Sequence, residues 1–116
     1  MKNQRRTFLK QSAALAAAAG LPAIARGQGA IVKIGVLHPV TGFLAYSGNL
    51  CRVGARRAVE EINAAGGIKA LGGARLEAIY ADAQSKPEVG VAEVEKLNEA
   101  GVSAIVGAYA SAICLA

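Results

Sequence analysis

Ile31-Val32-Lys33-Ile34-Gly35-Val36-Leu37-His38-Pro39-Val40-Thr41-Gly42-Phe43-Leu44-Ala45-Tyr46-Ser47-Gly48 is the stretch on which the reading of the whole chain turns. Its first seven residues, Ile31 to Leu37, form a short apolar run rich in β-branched side chains. Such a run reads as a buried strand of a parallel sheet. Pro39 ends it, because proline has no N–H to offer a ladder. A polar loop with Thr41-Gly42 and Ser47-Gly48-Asn49 follows, and a helical pattern begins at once. A strand, a loop at its carboxyl end and a helix make the first step of a βαβ unit. In open α/β sheets ligands bind at such loops. The first strand is therefore expected to lie at the centre of a binding lobe, with its loop forming half of a ligand site.

Downstream, the helix spans about Asn49 to Ala65. Cys51, Ala55, Ala58, Val59, Ile62 and Ala65 recur at helical spacing and mark its inner face. Arg52, Arg56, Arg57, Glu60 and Glu61 mark the wet face, read as a solvated surface and not as an anion patch. Gly66-Gly67 stops the helix, since glycine accepts the left-handed cap without a Cβ penalty. After a turn over Ile68 to Gly73, Arg75 to Tyr80 alternates as a second strand. Asp82 to Ser85 is a loop. Ser85-Lys86-Pro87-Glu88 fits a capping box, with the serine as cap, and proline is tolerated in the first turn. The second helix runs to about Ala100, with Val91, Val94 and Leu97 inward. Val102 to Gly107 is the third strand, Ala108 to Ser111 the next loop, and Ala112 to Ala116 the start of a third helix.

The order β-α-β-α-β with right-handed crossovers gives a parallel sheet in the order 2-1-3, with helices on both faces. The strand order reverses between strands one and three. The loops His38–Gly48 and Ala108–Ser111 flank that switch point. Ser47 and Ser111 stand near helix starts there. Either could be a simple N-cap, and either could help to hold an anion at unpaired N–H groups.

Composition narrows the function. The chain has 116 residues and a formal net charge of +5. Lys2, Arg5, Arg6 and Lys10 supply four of the 13 basic residues, and no acid lies among residues 1–25. The remaining nine basic residues nearly balance the eight acidic ones, so nothing indicates nucleic-acid binding. No dinucleotide or P-loop glycine pattern is present, no nucleophile elbow, and no metal-ligand cluster. His38 is the single histidine. No cofactor is expected, and an enzyme of flavodoxin or Rossmann type is the disfavoured rival.

Residues 1–25 read as an export signal. Arg5-Arg6-Thr7-Phe8-Leu9-Lys10 is a charged opening with paired arginines. A mildly apolar stretch from Ala13 to Ala19 follows, too short to span a bilayer. Ala23-Ile24-Ala25 has the small-x-small form of a cleavage site, at Ala23 and Ala25. The order resembles the bacterial twin-arginine signal. That resemblance implies a Tat translocase as export partner and a periplasmic destination.

The remainder resembles the periplasmic substrate-binding proteins of ABC importers of the branched-chain amino acid (Leu/Ile/Val) type. The resemblance rests on Ile34-Gly35-Val36-Leu37-His38-Pro39-Val40-Thr41-Gly42. It continues through Gly54-Ala55, Ala58-Val59-Glu60-Glu61-Ile62-Asn63-Ala64-Ala65-Gly66-Gly67-Ile68 and Gly72-Gly73. Asp82, Ser85-Lys86-Pro87-Glu88 and Val106-Gly107-Ala108-Tyr109-Ala110-Ser111-Ala112 complete it. It implies a periplasmic binding protein type I fold in which two lobes close on a ligand. Residues 26–116 would be an incomplete N-terminal lobe, the opening of a longer protein. The implied ligand contacts are Tyr46, Ser47, Tyr109, Ala110 and Ser111, holding an amino acid or similar small carboxylate or amide. The implied partner is an inner-membrane ABC permease, or a signalling partner if the fold serves as a sensor. Some members link the loops after strands two and three by a disulfide. Gln84 and Ala110 stand in those regions here, so that bridge is not expected. Cys51 and Cys114 fall on helices at opposite faces of the sheet and are expected to be free thiols. Taken alone, this part of a lobe is expected to expose apolar surface by its third strand, to fold weakly or associate, and to hold ligand poorly.

Overall fold

The computed structural model describes residues 29–116. Arg5, Arg6, Ala23 and Ala25 lie outside the described residues. The elements are β1 (Ile31–His38), α1 (Ala45–Ala64), a 3-10 turn (Lys69–Leu71), β2 (Arg75–Asp82), α2 (Pro87–Glu99), β3 (Ala104–Gly107) and α3 (Ser111–Cys114). The sheet has the expected order β2-β1-β3. Both pairings are parallel. β1 and β2 run in register from Ile31↔Arg75 to His38↔Asp82, and β1 and β3 from Ile34↔Ala104 to Leu37↔Gly107.

Alternation along the strands separates the two faces. Leu37 and Ala81 point to one side, where they join Leu97 of α2, Ile113 of α3, Ala83 and Ala108 in the buried cluster. Gly35 makes room there, since a Cβ at that position would come within 2.8 Å of Leu97 Cδ1. Burial of Leu97 stabilises this face by roughly 1.5–3 kcal/mol. The other face carries Tyr80, over which Arg52 of α1 sits, and Val36, which is fully buried. Helices therefore cover both faces.

Several local expectations change. The first helix starts at Ala45, not Asn49. Gly42 turns the chain at φ 82°, Ala45 N–H donates to Gly42 O at 3.2 Å, and Gly48 N–H donates to Leu44 O at 2.9 Å. The turn closes early enough to place Ser47 inside the helix, three residues in. The inner face of α1 is also narrower than its periodicity suggests. Cys51, Ala55 and Val59 are half-buried, whereas Ala58, Ile62 and Ala65 are exposed. Arg52, expected on the wet face, is half-buried. Finally, Ser85 caps nothing. Lys86 is the N-cap of α2 without a side-chain hydrogen bond, and Pro87 takes the first helical position. The hydroxyl of Ser85 is used by the opposite loop, as described below.

The third strand is shorter than expected, Ala104–Gly107. Ser103 nevertheless already lies against β1, its N–H donating to Lys33 O at 2.8 Å. Ile105 and Val106 are exposed, as expected for the outer side of the third strand. Arg57 and Glu61 pair at 2.8 Å, and Arg56 approaches Glu60 at 3.7 Å. Cys51 and Cys114 are free. The first lies on α1, and the second on α3, which packs with α2 on the opposite face.

Candidate functional site

The register brings two loops to one end of the sheet. Leu37↔Gly107 is the last β1–β3 pair, and neighbouring strands lie about 4.8 Å apart. The chain thus leaves β1 toward Tyr46 and Ser47, and leaves β3 toward Tyr109, Ala110 and Ser111, from adjacent positions. Tyr46, Tyr109 and Ser111 are exposed, and Ser47 and Ala110 are half-buried.

The loop after β1 is held from below by Asp82, the last residue of β2. Its Oδ1 accepts from the N–H groups of Val40 at 2.9 Å and Thr41 at 3.3 Å, and its Oδ2 accepts from Thr41 Oγ1 at 2.6 Å. Gln84 N–H adds a fourth bond at 2.8 Å. Partial burial alone would raise the Asp82 pKa. The Thr41 hydroxyl and the Gln84, Val40 and Thr41 N–H groups outweigh that and hold the carboxyl below its usual range.

Ser85 locks the same loop from the side. Its buried hydroxyl donates to Thr41 O at 2.7 Å and accepts from Leu44 N–H at 3.1 Å. The approach is tight, because a Cβ on Gly42 would lie 2.7 Å from Ser85 Oγ. Asn49 closes the far side, donating from Nδ2 to Val40 O at 3.0 Å and to Ala45 O at 2.8 Å. Gly48 lets α1 rest on the loop, since a Cβ there would overlap the Pro39 carbonyl oxygen.

The N-terminus of α1 is bare. Its N-cap is Leu44, which supplies no side-chain hydrogen bond, where Ser, Thr, Asp or Asn is the usual choice. Tyr46 and Ser47 occupy the first turn, whose N–H groups have no partner within the helix. Neither Ser47 nor Ser111 caps a helix through its side chain; the N-caps are Leu44 and Ala110.

The loop after β3 has a different character. Tyr109 sits at φ 71°, a region costly for a residue with a Cβ and a form of strain often stored at functional sites. Ala110 N–H donates to Ala108 O at 2.9 Å. Ile113 and Cys114 N–H both donate to Ala110 O, so the backbone and Ser111 donors this loop can present are the Ser111 hydroxyl and the Ser111 and Ala112 N–H groups.

His38 lies beneath the first loop, buried, with Nδ1 unpartnered. Burial, and secondarily the charge on Arg52, lower its pKa. Among the described residues, no group of three His, Cys, Asp or Glu is placed to hold a metal ion.

The network of Asp82, Ser85 and Asn49 was not legible as a site in the sequence. Asp82 and Ser85 lie more than 40 residues from the loop they hold. The available signal was their placement just past the second strand, where a parallel partner must bring them beside the first loop.

Comparison with known proteins identifies the family and the fold. The periplasmic binding protein family profile matches residues 31–116, and the profile of the twin-arginine translocation pathway signal sequence matches residues 2–22. The chain is 41% identical over 76 residues to the leucine-, isoleucine-, valine-, threonine- and alanine-binding protein of Pseudomonas aeruginosa, covering 66% of this chain and 20% of that protein. It is 35% identical over 107 residues to the Leu/Ile/Val-binding protein homolog 3 of Brucella melitensis, covering 92% and 27%. Among solved structures, it superimposes with a TM-score of 0.68 and 35% identity on LivJ, the branched-chain amino acid transporter substrate-binding protein of Streptococcus pneumoniae, in complex with isoleucine. That match covers 72% of this chain and 24% of LivJ. The chain thus spans between a fifth and about a quarter of the length of these relatives. They are binding proteins and not enzymes. With a parallel 2-1-3 sheet, two loops at its switch point and a twin-arginine signal profile ahead of them, the chain belongs to the periplasmic binding protein family and is exported to the periplasm.

Proposed function

We propose that the chain provides first-lobe contacts of a solute-binding component of an ABC importer. Residues 1–25 act as the twin-arginine signal, read by the Tat translocase and cleaved after Ala25. Residues 26–116 form the opening part of a lobe that closes with a second lobe over the ligand and then meets an inner-membrane permease. The ligand is an amino acid or a related small carboxylate or amide. The likeness to relatives whose names state leucine, isoleucine and valine binding favours a branched-chain amino acid.

The observation that carries this reading is the uncapped start of α1 beside the end of the β1–β3 register. First-turn N–H groups at Tyr46 and Ser47, together with the positive end of a 20-residue helix, suit a carboxylate. Tyr109, Ala110 and the Ser111 hydroxyl face the ligand from the neighbouring strand end. Tyr46 and Tyr109 offer aromatic walls.

Isothermal titration of the exported gene product with leucine, isoleucine, valine, threonine, alanine and their amides tests the proposal. At least one should bind, and Ser111→Ala should weaken that affinity about tenfold, the loss of one hydrogen bond to a charged group. Absence of heat from every compound in the panel would overturn it.

A further inference from the structure

Between α1 and β2, on the face away from α2, lies a groove of about 340 Å³ lined by Asn49, Arg52, Val53, Arg56 and Tyr80. None of the five ligand-loop residues lines it. Two arginines one helical turn apart line one groove, and like charges at that spacing oppose the helix. Their hydrogen bonding is incomplete. A guanidinium has five N–H donors. Arg52 spends one, from Nη2 to Ala81 O at 2.7 Å, while its Nε is buried without a partner. Arg56 approaches Glu60 at only 3.7 Å, beyond hydrogen-bond reach. The next arginine along differs: Arg57 is tied to Glu61 at 2.8 Å.

Arg52 is also held in place. Its Cζ lies 5.6 Å from the centre of the Tyr80 ring, a cation–π arrangement. The bond to Ala81 O fixes the plane of the guanidinium. The entropy of immobilising a long side chain has therefore been spent before any ligand arrives. A fixed guanidinium and a second one a turn away at one opening form the paired donor set that a carboxylate or phosphate group accepts.

We propose that this groove is a second anion seat, separate from the amino-acid cleft, which binds a phosphate or carboxylate group through Arg52 and Arg56. Both anions share the oxyanion chemistry of the seat, and separate titrations distinguish them.

The test is a titration of the ¹⁵N-labelled exported gene product with inorganic phosphate, and separately with acetate, at constant ionic strength. The readout is the set of arginine Nε–Hε resonances. The Arg52 and Arg56 signals should shift and saturate, while Arg57 stays in place. The anion with the lower half-saturation point is the preferred occupant. Arg52→Lys keeps the charge but loses the fork, and should raise the half-saturation concentration about fivefold or more. Arg56→Gln, on an exposed position that the fold does not depend on, should do the same. Saturating leucine should leave the phosphate curve unchanged. Shifts that rise linearly, that appear equally at Arg57, or that survive both substitutions would overturn the proposal. So would a phosphate curve abolished by leucine, which would place the anion in the cleft.

Discussion

The two loops at the switch point are built on opposite plans. The loop after β1 is clamped by a carboxylate with four donors, a buried serine hydroxyl and the Asn49 amide. The loop after β3 follows a four-residue strand with exposed side chains and carries its tyrosine at a costly backbone angle. One half of the candidate site is held by side-chain hydrogen bonds from Asp82, Ser85 and Asn49, and the other is seated by Ala108 and Ile113 in the core cluster, with the strained tyrosine between them. A ligand that bridges both would meet a wall fixed by hydrogen bonds and one fixed by apolar packing. Preorganisation lowers the ordering cost of binding, and deleting a hydrogen bond should loosen only the first.

The largest blow to the first wall comes at the seat of α1. Gly48→Ala drives a methyl group into the Pro39 carbonyl. Overpacking against backbone that cannot move aside should cost about 3 kcal/mol, read by chemical denaturation of the exported protein. Asp82→Ala is next. It strips four hydrogen bonds from a half-exposed carboxylate, an expected loss of about 2–3 kcal/mol. Amide exchange at Val40 and Thr41 should quicken, while exchange at Ala110 should not.

Asp82 also gives the comparison a pH axis. Its folded-state pKa is lowered, so the stability it contributes is complete above the ordinary aspartate value of about 3.9 and is lost as pH falls through the folded value. Asp82→Asn should flatten this acid limb in a denaturation-versus-pH series. His38 acts in the same direction at higher pH, since its lowered pKa favours the fold above about 6.5 and less below it.

Ser85→Ala removes one donor and one acceptor from the lock on Thr41 and Leu44. It should cost about 1–2 kcal/mol and leave the second loop untouched, which a thermal melt and the exchange pattern together would show. The smallest effect sharpens the contrast from the other side. Tyr109→Gly relieves the positive φ and should raise stability by up to about 1 kcal/mol, yet weaken ligand binding by calorimetry. A variant that gains stability and keeps full affinity would show that the strain serves no purpose at the site.

Much of the architecture could be read from residue order. Alternation and β-branching marked β1 and β2, and glycine pairs marked the ends of elements. The handedness of crossovers then left one sheet order. Periodicity failed where a local pattern had to compete with distant partners. Ser85 satisfies the capping-box spacing, yet Thr41 O and Leu44 N–H, brought beside it by the parallel pairing of β1 and β2, hold its hydroxyl in place of the α2 terminus. Ser47 looked like the start of a helix, but the turn at Gly42 closed four residues before the expected start. Arg52 matched a wet face, although Tyr80 and Ala81 O across the interface draw it in.

The sequence alone determined the order of elements, the parallel topology, the export signal and the loops that meet at the switch point. Those features follow from short-range patterns of apolar, glycine and charged residues. Only the tertiary structure decided which polar atoms are spent on the scaffold and which stay open at the switch point or the groove. That choice depends on partners about 30 to 45 residues away, and a hydroxyl or guanidinium bonds to whichever acceptor the packed strands bring within about 3 Å.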